Sequence, residues 1–166
     1  MPLEIEKRFL VQSQQWRDLI KDSQEIRQGY FSTNFNEWVT RVRIVNNQKA
    51  MITLKRSLKK MVNHEFEYQI PIKEAEAIWD LITVKLTKRR YFLKKTPGLW
   101  IVDCFKGNNA PLMIAEVELE TTEESVLKPS WSSDELTGLN KWSNAGLAKT
   151  PIALWTDLER EKFKLN

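Results

Sequence analysis

The chain has 166 residues, 42% of them hydrophobic and 29% charged, with a formal net charge of +4. That is enough chain to close one core and too apolar for a disordered segment. No stretch approaches the ~20 apolar residues of a membrane span, the start Met-Pro-Leu-Glu-Ile-Glu lacks a signal-peptide pattern, and the single cysteine, Cys104, excludes an internal disulfide or thiolate metal cluster. One domain over residues 1–166, in the cytoplasm, is the expectation.

Glu4 to Val11 reads as a strand whose alternation puts Glu4, Glu6 and Arg8 on one face. Ser13 is a candidate cap for a short helix, Gln14 to about Asp22, with Trp16, Leu19 and Ile20 as its apolar side. Residues 26–31 form the next strand, and Asn34 and Asn36 mark a turn. Glu37 to Val45 then sets Arg41 and Arg43 against Val42 and Ile44. Asn46-Asn47 is a hairpin turn, and Ala50 to Arg56 returns with Lys55 opposite Ile52 and Leu54.

Lys59-Lys60 reads as a polar loop. His64 to Ile70 alternates Glu65, Glu67 and Gln69 with Phe66, Tyr68 and Ile70, and Pro71 ends it. Lys73 to Thr83 has the period of an amphipathic helix. Val84 to Lys94 is a strand with Lys88 and Arg90 on one face, followed by a turn at Thr96-Pro97-Gly98. Leu99 to Phe105 carries Asp103, and after a turn at 106–109, Leu112 to Glu120 alternates Glu116, Glu118 and Glu120 with Ala115, Val117 and Leu119. Beyond Glu120 the pattern gives short helices and loops, with a cap-like run at Ser132-Ser133-Asp134-Glu135 and a closing helix from about Ala153 to Phe163.

Eight strands, tight turns and a few helices give an α+β fold, antiparallel-rich or closed as a barrel. The faces opposite the apolar ones carry Glu4, Glu6, Glu65, Glu67, Glu116 and Glu118 together with Arg8, Arg41, Arg43, Lys55, Lys88 and Arg90. In an open sheet those faces meet water. In a closed one they need a partner, and a polyanion with divalent cations suits both signs, since guanidinium and ammonium groups hold phosphate oxygens and carboxylates hold Mg²⁺ or Mn²⁺. His64 reads as a surface residue, Cys104 as a core filler, and most of the seven tryptophans as packing residues. The basic clusters at Lys55-Arg56, Lys59-Lys60 and 88–90 lack interleaved exposed aromatics, and the acidic strands repel a phosphate backbone, which argues against nucleic acid.

Glu4-Ile5-Glu6-Lys7-Arg8-Phe9-Leu10-Val11 resembles the Glu-x-Glu-x-Lys signature strand of the CYTH, or triphosphate tunnel metalloenzyme, family. Arg41-x-Arg43, Lys55, Glu65-Phe66-Glu67-Tyr68, Lys88-x-Arg90 and Ala115-Glu116-Val117-Glu118-Leu119 follow in the family's order, and Trp131 to Glu135 and Asn144-x-x-Leu147-Ala148 extend the likeness to about residue 151. The family's lysine position falls on Arg8, and its usual Asp-x-Arg-Tyr falls on Leu139-Asn140-Lys141-Trp142.

The resemblance implies an eight-stranded antiparallel β-barrel, a tunnel with peripheral helices, whose lumen binds a triphosphate and metal. The expected activity is Mg²⁺- or Mn²⁺-dependent hydrolysis of inorganic triphosphate or a small organic triphosphate. An adenylate cyclase and a non-catalytic polyphosphate- or nucleotide-binding module stay open as alternatives, as does a homodimer. In this reading Arg41, Arg43, Lys55, Lys88 and Arg90, with Arg8 assisting, contact the substrate. Glu4, Glu6, Glu116 and Glu118 hold metal, and Glu65, Glu67 and Lys88 form the catalytic set.

Overall fold

The structure, a computed structural model, describes residues 2–94 and 99–165. Its strands are β1 (Leu3–Val11), β2 (Ile20–Thr33), β3 (Val39–Val45), β4 (Lys49–Lys59), β5 (Val62–Ile70), β6 (Lys85–Leu93), β7 (Trp100–Phe105), β8 (Met113–Glu118) and β9 (Ser132–Glu135). All pairings are antiparallel in the order β5-β4-β3-β2-β6-β7-β8-β1-β9, and β1 also pairs with β5. Eight strands thus close into a barrel and β9 adds to the free part of β1. The two-residue period of a strand explains the closure: most strands carry their charged site residues on one side, which faces a common lumen, while β2 turns Ile26, Gln28 and Tyr30 inward and Glu25 and Arg27 outward.

The apolar exterior is covered where it is widest. Helix α1 (Ile72–Leu81) seals Val42, Ile44 and Ala50 with Ala75. Trp16 and Trp131 bury against Phe9, Trp100, Val102 and Val117 on the other side. One end of the lumen is itself apolar: Leu10, Tyr30, Leu86, Phe105 and Ile114 receive the C-terminal segment, with Trp142, Leu147, Ile152 and Trp155. Helix α2 (Asn144–Lys149) lies in this plug, capped by the Ser143 side chain, which accepts from Gly146 N at 3.0 Å. A side chain at Gly146 would collide with the backbone carbonyl of Asn140, so only glycine allows this approach.

The Asn46-Asn47 hairpin is present, both residues at positive φ (51° and 55°), where asparagine is tolerated. Five expectations need correction. The helix over Gln14 to Asp22 is only a 3₁₀ turn, Gln15–Leu19, because Ile20 already pairs with Leu93 and opens the long strand β2. The Ser132–Glu135 run is strand β9, not a helix cap: the C-terminal half of β1 would otherwise expose its edge, and Val11 pairs with Ser132 and Phe9 with Glu135. The closing helix divides into a 3₁₀ turn, Ile152–Leu154, and α3 (Asp157–Lys162), whose start is fixed by a reciprocal Thr156–Glu159 capping box. Strand β4 also runs through Lys59, which had read as loop, and β8 stops at Glu118. The turn expected at Thr96-Pro97-Gly98 lies outside the described residues. Among the described residues no helix is long and apolar enough to cross a membrane.

Candidate active site

The register carries the charged residues into one layer. Glu6 stands opposite Glu118 and Arg8 opposite Glu116 across β1–β8, Arg90 opposite Asp103 across β6–β7, and Lys55 opposite Glu65 across β4–β5. Two linkages dominate. In the first, Arg90 grips Asp103 with two bonds of 2.8 Å and reaches Glu116 at 2.9 Å, while Arg8 Nε meets Glu116 at 3.1 Å. Lys88, fully buried, donates to Asp103 at 2.5 Å and to Asn144 Oδ1 of the plug at 2.9 Å. In the second, Lys55 bonds Glu4 and lies 3.5 Å from both Glu6 and Glu65. Arg41 is 3.7 Å from Glu65 and 4.0 Å from Glu67, and Arg43 is 3.7 Å from Glu67.

Between these linkages lies a cavity of about 370 Å³ lined by Glu4, Glu6, Arg41, Arg43, Lys55, Glu65, Glu67, Arg90, Glu116 and Glu118. Of the twelve residues expected to serve the site, these ten share one chamber. Arg8 does not line it; its guanidinium turns toward the plug, where Nη1 donates to the Trp142 carbonyl at 2.9 Å. Lys88, expected on the phosphate and in the catalytic set, meets Asp103 and Asn144 and does not line the chamber. The sequence reading passed over both Asp103 and Asn144 as site residues. Asp103 stands out as a lone acid among apolar strand neighbours; Asn144 belongs to the C-terminal likeness, but its side chain reaches the lumen only because the plug docks there.

Burial shapes the charges. It lowers the Lys88 ammonium to about 7, with Asp103 opposing the shift and Arg90 adding to it. Burial and the neighbouring Arg41 and Arg90 bring Arg43 down to about 10. Asp103 goes the other way: burial would raise it, but Arg90 and Lys88 hold it well below the usual carboxylate range. Glu6 is raised, chiefly by burial and further by Glu4 and Glu116, with Lys55 opposing.

The carboxylates fit a hard cation. They offer oxygen alone; Glu118 makes no ion pair among the described residues, and Lys55 serves Glu4, Glu6 and Glu65 at once. No three histidine, cysteine, aspartate or glutamate side chains among the described residues already converge on an ion position. The Lys55 ammonium is the cation that Glu4 and Glu6 hold in common.

Known proteins resemble this chain. The CYTH domain matches residues 2–150. The inorganic triphosphatase of Acetivibrio thermocellus is 36% identical over 153 residues, spanning 91% of this chain and 96% of that one. The inorganic triphosphatase of Nitrosomonas europaea is 30% identical over 149 residues, 87% and 96% of the two chains. The crystal structure of an inorganic triphosphatase superposes with a TM-score of 0.62 at 28% identity, covering 94% of this chain and 97% of the other. The domain match over residues 2–150, with relatives 36% and 30% identical over most of the chain, places this charged barrel in the CYTH domain family.

Proposed function

We propose that this chain hydrolyses inorganic triphosphate, or a small organic triphosphate, in the charged chamber of its barrel. The observation that carries the reading is the chamber itself, in which Arg41, Arg43, Lys55 and Arg90 share a closed space with Glu4, Glu6, Glu116 and Glu118. Four cations in a half-buried lumen suit a chain of phosphates, because charge attraction strengthens where the protein replaces bulk water. The names of both relatives favour hydrolysis over cyclisation.

The arginines and Lys55 take the phosphate oxygens. Arg41 and Arg43 are well placed for this, since their present carboxylate contacts of 3.7–4.0 Å are longer than a hydrogen bond. Glu65 and Glu67, released from those arginines, orient the attacking water. Attack on the terminal phosphorus breaks its bond to the bridging oxygen and gives orthophosphate and pyrophosphate. Glu4, Glu6, Glu116 and Glu118 would hold Mg²⁺ or Mn²⁺. When bound, the metal neutralises phosphate charge and favours an attacking hydroxide. Lys88 acts as a positioning residue, fixing Asp103, and through it Arg90, and tying the plug down at Asn144.

A phosphate-release screen over triphosphate, ATP, thiamine triphosphate and long-chain polyphosphate, each with Mg²⁺, Mn²⁺ or chelator, tests the reading. Release from triphosphate that stops with chelator is expected. Cyclic AMP formed from ATP faster than phosphate is released would replace the hydrolase with a cyclase, and binding without release would leave a binding module.

A further inference from the structure

The barrel leaves one strand edge open. Where β1 runs on past β5, β9 covers it. Where β5 runs on past β1, nothing among the described residues does so. The last backbone contact there is Glu65 N to the Pro2 carbonyl at 3.5 Å, and residues 66–70 pair with β4 alone. Alternation fixes which groups are left over. Glu67 and Gln69, in step with Glu65, turn N–H and C=O to the open side, while Phe66 and Tyr68 turn theirs to β4. Glu67, Tyr68 and Gln69 are exposed, Tyr68 by 57%. No lysine, proline or bulge blunts the edge between 66 and 70.

This edge is complementary to itself. An antiparallel neighbour bonds where outward-turned residues stand opposite each other, which allows a second β5 three registers. Glu67 opposite Glu67 sets two carboxylates together and calls on Glu65 N, which already serves Pro2. Gln69 opposite Gln69 brings Glu67 against Pro71, which has no N–H to give. Glu67 opposite Gln69 has neither fault. It makes four backbone hydrogen bonds, two at each Glu67–Gln69 pair, and sets Tyr68 against Tyr68 on the two-fold axis. On the outer side Phe66 then lies against Ile70, and aromatic and β-branched neighbours favour pairing. On the lumen side a neutral carboxamide meets each Glu67, so no like charges face each other.

We propose that two copies of this chain join edge to edge through residues 66–70, antiparallel about an axis at Tyr68, so that one sheet runs through both barrels. Each copy sets its Gln69 carboxamide beside Glu67 of the other and so completes the wall next to a residue of the candidate active site. Five residues a side make a small contact, and the dimer forms with a Kd on the order of 10 μM. The pairing stands on the edge alone and holds whether or not the chain hydrolyses triphosphate.

Sedimentation equilibrium across 1–100 μM, on the order of that Kd, tests it with two substitutions at one exposed position. The parent should rise from 19.6 kDa toward twice that mass. Gln69→Glu puts a carboxylate opposite each Glu67 and should weaken the dimer roughly tenfold, whereas Gln69→Arg puts a cation there and should tighten it by a similar factor. A folding defect cannot imitate opposite shifts from the same position. Amide hydrogen exchange locates the contact: Glu67 and Gln69 should slow as protein concentration rises, and Phe66 and Tyr68, already bonded to β4, should not. A parent that stays monomeric throughout the range would overturn the proposal. A dimer indifferent to both substitutions, or one that slows exchange elsewhere and not at Glu67 and Gln69, would overturn it as well.

Discussion

The two sides of the lumen hold similar charges in different ways. On the wall of β6, β7, β8 and β1, the charges of Lys88, Arg90, Asp103, Glu116 and Arg8 are linked at 2.5–3.1 Å, and Lys88 and Asp103 have no exposed side chain at all. On the wall of β3, β4 and β5, most contacts of Arg41, Arg43, Lys55, Glu65 and Glu67 are 3.5–4.0 Å long, and Glu67 is 40% exposed. Short, dry, bidentate contacts fix a geometry; long, wetter ones can be exchanged for others at small cost. The first wall is braced as framework and the second holds contacts that a ligand could take over, so equal charge changes should produce unequal consequences.

Asp103→Asn should give the largest effect. It leaves Lys88 and Arg90 buried without their counter-charge, a loss of about 3–5 kcal/mol. For a chain of this length that is a fall in Tm on the order of 10 °C. A melting curve within two degrees or so of the parent would show that the first wall is not framework. Glu118→Gln tests the opposite case. Having no ion pair to lose among the described residues, it should leave Tm unchanged, lower turnover by about 10²–10³-fold and move metal dependence to higher concentration. Glu116→Gln should cost turnover similarly but stability as well, because Arg8 and Arg90 both lean on that carboxylate.

Arg41→Ala, from the exchangeable wall, should weaken triphosphate binding by about 10–100-fold, the range for one charged hydrogen-bonding group, with little change in melting. Metal-free calorimetry reads this directly, and parental affinity would remove Arg41 from the substrate. The smallest effect is one of pH. Lys88 sits at about 7 when folded and near 10.4 when unfolded, so between those values the folded chain binds fewer protons. Stability from this group is therefore full above the unfolded value and is lost as pH falls toward 7. Lys88→Met should flatten that part of the Tm–pH profile; an unchanged slope would mean that the ammonium stays charged beside Asp103.

Much of the site was legible because a strand writes its inward face at every second position. Arg41-x-Arg43, Glu65-x-Glu67 and Glu116-x-Glu118 are each a local pattern, and closing the barrel only had to bring them together. What depended on distant pairing was not legible. Residues 14–22 carry helical apolar spacing, yet the chance to pair Ile20 with Leu93 decided their conformation. Ser132–Glu135 looks like a cap until β1 is seen to need an edge partner. The division of labour among the charges was hidden for the same reason. Lys88 and Arg90 are alike in sequence, and only the approach of Asn144 from the plug and Asp103 from β7 separates a buried brace from a lumen cation.

The join between β1 and β5 has a consequence for motion. Leu3, Glu4 and Ile5 pair there with His64, Asn63 and Val62, flanked by backbone bonds from Glu6 N to the Met61 carbonyl at 3.2 Å and from Glu65 N to the Pro2 carbonyl at 3.5 Å, whereas β4 and β5 share a ladder from Ala50 to Lys59. Three paired residues make this the shortest ladder among the described pairings of the hoop, and the side chains beside it line the charged chamber: Lys55 with Glu4 and Glu6, and Asn63 with Glu4 at 3.1 Å. A ligand that gathers Glu4, Glu6 and Lys55 acts as a clasp on that join. Amide hydrogen exchange should accordingly slow at residues 3–5 and 62–64 when triphosphate and metal are bound, and hardly change along β6 and β7, where the hoop is already fastened.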